Sequence, residues 1–319
     1  VKPQPSKPAD YIAEPKRILV IPPECAGLRL DQALARLLPE HSRSRLTAWM
    51  RQGKVSLDDA PAPAKRKVWG GERVILEGAV LPEQAAQRPE DIPLRILYED
   101  PELLVVDKPA GLVVHPGSGN WGGTLLNALL HHAPELVRLP RAGLVHRLDK
   151  DTSGLLVVAK TPQAHTDLVR QLAARTVKRL YLALAHGRLG GDGLVDAPIG
   201  RHPVQRTKMT VTRNGRAART HYRVRERFDH ATLLECALET GRTHQIRVHM
   251  AKIGHPLVGD RVYGLRRQAP MPLADFPRQA LHAWCLALVH PAAGVEMRWE
   301  APLPEDFSKL LASLRAAQA

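Results

Sequence analysis

The chain has 319 residues, 44% hydrophobic but only 4% aromatic, with a formal net charge of +14 and a pI near 10.1. That length suits about two domains with mainly aliphatic cores. The charge points to a polyanionic partner, either nucleic acid or an anionic membrane surface. Cys25, Cys236 and Cys285 are odd in number and form no CxxC pair. They argue against a disulfide framework or a cysteine-rich metal site and fit a reducing, cytoplasmic setting. There is no bilayer-length apolar run, secretion-signal core or lipidation motif, so a soluble, non-membrane protein is expected.

Residues 1–16, rich in Pro, Lys and Ala, are expected to be a disordered tail. The first ordered unit spans 17–85. Arg17–Ile21 reads as a strand. Arg29–Leu38 reads as a helix with Leu30, Leu34 and Leu37 or Leu38 on one face. A second helix is capped by Ser42 and stops at Gly53, and strands follow at Lys54–Leu57 and Glu72–Leu76. Two short helices followed by strands, with Arg43, Arg45, Arg51 and Lys54 near the second helix, resemble an S4-type RNA-binding domain. One departure is Ser56-Leu-Asp-Asp59, where many such domains carry a Val-Asn-Gly turn. The bland alternative is a small basic domain whose arginines only solubilise a helix face.

Residues 80–93 lack apolar periodicity and contain Pro82, Pro89 and Pro93, so a linker is placed at 86–93 and a second domain at 94–319. Leu94–Tyr98 and Leu103–Val106 read as strands, and Thr124–His131 as a short apolar helix. In 141–160 a dense polar block, His146 to Ser153, sits between apolar segments. Asp149 lies in it beside Arg147 and Lys150 and should carry its charge at neutral pH, because neighbouring cations favour the anion. On chemistry alone, a salt-bridged surface turn is the commoner outcome for such a block.

Thr161–Ala174 reads as an amphipathic helix and Arg179–Ala185 as a strand around Tyr181. Residues 201–225 carry eight Lys/Arg, no Asp/Glu, and the hairpin dipeptide Asn214-Gly215. A basic hairpin is expected, with Arg206, Lys208, Arg213 and Arg216 toward phosphates; the alternative is a solvated hairpin. Thr232–Glu239 reads as a strand leading into Gly241-Arg-Thr-His-Gln-Ile-Arg-Val-His249. Residues 265–279 read as a variable loop, 281–289 and 295–299 as strands, and 306–317 as a closing helix. Histidine spacings suit no zinc set, so no metal site is expected, and no GxSxG elbow or Walker loop is present.

Four segments in order carry a sharper resemblance: Lys108-Pro-Ala-Gly-Leu-Val-Val-His-Pro116, His146-Arg-Leu-Asp-Lys-Asp-Thr-Ser-Gly154, Lys178-Arg-Leu-Tyr-Leu-Ala-Leu184 and the 241–249 motif. Together they resemble RluA-type pseudouridine synthases, and with an S4-like domain in front the layout is most similar to the RluD type. The resemblance implies an α+β pseudouridine synthase fold, a long mixed, largely antiparallel sheet with flanking helices and a central cleft. It implies isomerisation of uridine in large-subunit (23S) ribosomal RNA, at the helix 69 stem-loop, without a cofactor, by a monomer. Asp149 is the implied catalytic aspartate and Arg242 its implied ion-pair partner. Tyr181 is placed against the uracil, and Arg147 in the gap left by the flipped base. Arg247 and His249 are expected to be structural or phosphate-facing, and Lys108 and His115 to shape the cleft. The alternatives are other 23S sites, transfer RNA, or a non-catalytic ribosome-assembly factor.

Overall fold

Why the chemistry-bearing segments converge follows from how two units fold, Val1–Ala85 and Ala86–Ala319. The computed structural model describes residues 17–39, 43–76, 88–117, 120–205, 207–264 and 270–318, without the side chains of Ser44 and Arg45. The expected tail, the Ser42 cap, residues 86 and 87 of the linker, Arg206, residues 265–269 of the variable loop and the Arg45 side chain lie outside the described residues.

In the first unit, β1 (Arg17–Val20), α1 (Leu30–Leu37), α2 (Arg43–Arg51), β2 (Val55–Leu57), β3 (Ala60–Pro61) and β4 (Arg73–Leu76) follow in order. The strands form an antiparallel sheet ordered β1-β4-β2-β3. Leu30 and Leu34 of α1 and Leu46, Trp49 and Met50 of α2 pack on Val55, Leu57 and Val74 in one aliphatic core. The Asp58-Asp59 turn adopts positive φ at both positions, 50° and 63°. This is the backbone a two-residue hairpin demands and aspartate tolerates. The Asp58 side chain then accepts from the Arg73 N–H at 2.8 Å. These acids therefore serve the turn.

The second unit contains β5 (Ile96–Glu99), β6 (Leu103–Lys108), α3 (Leu125–His132), β7 (Ser153–Ala159), α4 (Pro162–Ala174), β8 (Lys178–His186), β9 (Gly193–Asp196), β10 (Ile199–Arg201), β11 (Met209–Val211), β12 (Arg219–Arg227), β13 (Ala231–Leu238), α5 (Gln245–Lys252), β14 (Leu281–Val289), β15 (Glu296–Glu300) and α6 (Glu305–Ala316). Nine strands make one mixed sheet in the order β5-β6-β7-β14-β8-β13-β12-β9, with β15 on β14. Only the β7–β14 pairing is parallel. Alternation along the strands divides the core. Leu104, Val106, Leu156, Val158, Tyr181, Ala183, Leu234 and Cys236 share one face with α3 and with Ile246 and Met250 of α5. On the opposite face, Leu103, Val105, Leu155 and Val157 meet Ala164 and Leu168 of α4, while Leu184 and Leu233 meet Phe307, Leu310 and Leu311 of α6. Burial on both faces explains why β6 and β7 read as unbroken apolar runs. Among the described residues, no helix is long and apolar enough to cross a membrane.

The basic stretch does not form one hairpin about Asn214-Gly215. β10 and β11 pair antiparallel, and the 202–208 loop joins them. The 212–215 turn then folds the chain back so that Arg216 and Ile199 exchange N–H···O bonds of 2.9 Å on the other edge of Ile199. A Cβ on Gly215 would lie 2.6 Å from the Ile199 carbonyl carbon, so the glycine permits this close return.

Candidate active site

Asp149 sits in the loop entering β7, where two depressions meet. One, of about 700 Å³, is lined by Tyr181, Ile246, Leu281 and the guanidinium groups of Arg141, Arg147, Arg175, Arg179 and Arg242. The other, of about 710 Å³, is lined by Lys150, Arg261 and Gln279. Asp149, Arg147, His244 and Arg247 line both. Lys108, fully buried at the end of β6, anchors this loop. Its Nζ donates to the carbonyls of Pro109, Leu112 and Lys150 at 2.8, 2.9 and 2.9 Å. Burial pulls the Lys108 pKa down to about 7, against the opposing pull of Asp151 and Asp149. The three carbonyls engage the ammonium form, which alone offers three donors. Behind the loop, His146 Nε2 accepts from the Val157 N–H at 3.1 Å. Burial holds His146 neutral, with a pKa of about 3.

The partner of Asp149 is Arg247, not Arg242. Arg247 Nη1 donates to Asp149 Oδ2 at 3.0 Å. Its Nε and Nη2 form a two-pronged pair with Asp260, at 2.7 and 3.0 Å. Arg242 Nε donates instead to the Ala217 carbonyl at 3.1 Å, on the wall of the first depression. The difference lies in where the helix begins. Buried Gln245 accepts from Thr240 Oγ1 at 2.7 Å and the Arg242 N–H at 3.0 Å, and donates to the Arg219 carbonyl at 2.8 Å. That clamp starts α5 at Gln245 and points Arg247 inward, leaving Arg242 in the preceding turn. His249, also buried, lies 2.9 Å from both Thr220 Oγ1 and the Ala197 carbonyl, a structural role.

Asp149 Oδ1 is freer. It lies 3.8 Å from His244 Nε2. Burial pushes the His244 pKa down, despite the raising pull of Asp149. Tyr181, on β8, presents its ring to the cleft while only 6% exposed. Burial raises its pKa, so the phenol is protonated at neutral pH, and its hydroxyl makes no hydrogen bond among the described residues. His115 Nε2 and Arg179 Nε are buried at the same cleft without hydrogen-bond partners among the described residues. Burial, then Arg141 and Arg147, lower the His115 pKa to about 4.

Such a site has one anchored carboxylate with a free oxygen, an aromatic wall, and cations around the mouth. It can act on a flat, polyanionic substrate at a single centre. The model of the RNA pseudouridylate synthase family matches residues 102–252, which span the Lys108, Asp149, Tyr181 and Arg247 segments. A Nitrosomonas europaea protein named ribosomal large subunit pseudouridine synthase D is 61% identical over 93% of this chain and 87% of its own length. A Pseudomonas aeruginosa protein of the same name is 55% identical over 94% of this chain and 96% of its own.

The chain belongs to the RNA pseudouridylate synthase family. It is an isomerase acting on RNA. Solved structures agree. Human RNA pseudouridylate synthase domain containing 4 superposes with a TM-score of 0.56 at 28% identity, covering 69% of this chain and 93% of that one. Human RNA pseudouridylate synthase domain containing 1 gives a TM-score of 0.53 at 27% identity, covering 71% and 96%. The pseudouridine synthase fold is therefore the frame on which this site is built.

The remaining expected site residues divide by whether their charge is already engaged. In the first unit, Arg43 donates to buried Asp31 at 2.9 Å, whereas Arg51 and Lys54 are exposed. In the pseudouridine synthase unit, Arg219 and Arg223 of β12 pair with Asp196 and Asp192 at 2.7 and 3.6 Å, and Arg225 pairs with Glu235. Arg201, Lys208, Arg213 and Arg216 of the β10–β11 region have no ion pair among the described residues. Sequence reasoning missed Asp260, His244 and Tyr263. The signal for Asp260 lay in Gly259-Asp260: Gly259 has φ 71°, and a Cβ there would lie 2.0 Å from the Arg278 carbonyl oxygen.

Proposed function

We propose that this protein isomerises specific uridines to pseudouridine in large-subunit (23S) ribosomal RNA, with Asp149 as the catalytic group and the helix 69 stem-loop as target. The observation that carries the chemistry is the asymmetry of Asp149. One oxygen is held by Arg247 at 3.0 Å, and the other faces the cleft. The names of the Nitrosomonas and Pseudomonas relatives, matched over most of their length, support the ribosomal substrate. The setting is cytoplasmic, and a monomer acts without a cofactor.

In this reading the uridine leaves its stack, since the reacting atoms are inaccessible inside a helix, and Arg147 occupies the gap. The free Asp149 oxygen acts at the sugar, either adding to C1′ or removing the C2′ proton. The N1–C1′ bond breaks, the base turns against the Tyr181 ring, and a C5–C1′ bond forms; as it forms, the Asp149–C1′ bond breaks in the first route, and Asp149 returns the proton to C2′ in the second. The C5 proton is then lost, relayed by the Tyr181 hydroxyl, and N1 gains a proton, so the product is an isomer.

The test is tritium release from 23S RNA carrying [5-³H]uridine. Wild type should release label, and Asp149→Asn should release none above background. Equal release by both would sink the role of Asp149. Release by neither would favour a non-catalytic ribosome-assembly factor.

A further inference from the structure

Tyr263 stands outside the cleft, yet it touches both groups that face Asp149. It follows α5 on the turn built by Asp260, whose Oδ1 accepts from the N–H groups of Val262 and Tyr263 at 2.8 and 3.0 Å. The same carboxylate grips Arg247, whose guanidinium carbon lies 5.1 Å from the centre of the Tyr263 ring. The ring also meets His244 edge-on, with centroids 5.6 Å apart. Beyond the ring, the hydroxyl accepts from the Met209 N–H of β11 at 2.8 Å and lies 2.8 Å from His244 Nδ1. A phenol has one proton. With Met209 donating to its oxygen, the phenol can give that proton to Nδ1, and in that tautomer the proton of neutral His244 sits on Nε2, the atom 3.8 Å from Asp149 Oδ1.

One hydroxyl thus joins the hairpin that carries unpaired cations to the histidine beside the free oxygen of Asp149. We propose that Tyr263 is a positioning residue that makes the alignment of Asp149 depend on how the β10–β11 hairpin is seated, and so on RNA lying across that hairpin. The inference rests on the proposed roles of Asp149 and the hairpin. It assigns the hydroxyl, not the ring, as the coupling element. The ring packs with Ile199, Val248 and Met209, and phenylalanine would keep that packing.

The experiment measures binding and the single-turnover rate at saturating enzyme on 23S RNA carrying [5-³H]uridine. Tyr263→Phe should lower the saturated rate about ten- to hundredfold, the scale of a small misplacement of a catalytic group, with affinity and melting temperature unchanged. Met209→Pro deletes the donor N–H without altering a cleft side chain and should act in the same direction. Arg213→Ala/Arg216→Ala should weaken binding and also lower the saturated rate, and that rate loss should vanish in the Tyr263→Phe background. A wild-type saturated rate for Tyr263→Phe, or hairpin and Tyr263 effects that simply multiply, overturns the coupling. Asp149→Asn is run alongside. If it stays active, the reading of Asp149 falls and takes the proposal with it. If it is inactive while Tyr263→Phe is unimpaired, only the coupling falls. Unchanged RNA affinity in the arginine double variant would remove the hairpin as an RNA contact and likewise overturn the proposal.

Discussion

Replacing Arg247 by methionine should strip charge compensation from two carboxylates at once. The Arg247 side chain is 6% exposed and that of Asp260 0%, so no water replaces the lost pair at Asp260. Removing one partner of a buried pair costs about 3–5 kcal/mol. Asp260 keeps the N–H groups of Val262 and Tyr263, which favours the lower end, about 3 kcal/mol. For a unit the size of Ala86–Ala319, that is a fall in Tm of about 6–12 °C. The pH dependence is diagnostic. In the wild type, burial raises the Asp260 pKa, but the hydrogen bonds and charge of Arg247 and the turn N–H groups outweigh it, and the net shift is downward. The stabilisation is thus complete above the unfolded value and lost only as pH falls through the lower folded value. Without Arg247, burial dominates and the folded value rises above the unfolded one. The variant is then worst off at neutral pH and recovers as acid neutralises the carboxyl. Calorimetry at pH 5 to 8 should show the gap between the two proteins narrowing toward pH 5, and Asp260→Asn should restore part of the loss in the Arg247→Met background. A gap below 2 °C at pH 7, or one that widens with acid, would refute the reasoning.

Three further outcomes are expected. Tyr181→Phe should lower the single-turnover rate about a hundredfold with RNA affinity kept, the range for a lost proton-transfer group; a rate within threefold of wild type would leave only the ring in play. Arg213→Ala/Arg216→Ala should reduce the slope of log affinity against log salt by about 1.4–1.8. Arg223→Ala/Arg225→Ala, whose cations are already paired, should leave the slope nearly unchanged.

Much of the frame was legible because it is periodic. β6, β7, β8, β13 and β14 appear where apolar runs bounded by turns placed them, and α1, α4 and α6 where apolar faces recur. α5 was hidden for a physical reason. Gln245, Arg247 and His249 are buried by hydrogen bonds and ion pairs and alternate with buried Ile246, Val248 and Met250, so the apolar face is interrupted by buried polar residues that the sequence pattern reads as surface. Choosing Arg247 over Arg242 required knowing where that helix starts, which the Gln245 clamp decides through Thr240 and Arg219. Asp260 was flagged in the sequence only by the glycine before it; its role comes from Arg247, met only in three dimensions. The charge of 201–225 was plain, but which cations remain free depends on Asp192, Asp196 and Glu235 lying beside β12.

The position of β14 bears on the order in which the enzyme becomes active during its own synthesis. β7, which follows Asp149, and β8, which leads toward Arg247, do not pair with each other; each pairs with β14, made more than a hundred residues after Asp149. Gly154, at φ 111°, lets β14 close in, since a Cβ there would lie 2.2 Å from the Ala283 carbonyl oxygen. A nascent chain that has released Asp149 and Arg247 but not Leu281–Val289 therefore holds two half-sheets with no strand between them. The two halves of the site are therefore joined across the sheet only once Leu281–Val289 has been made.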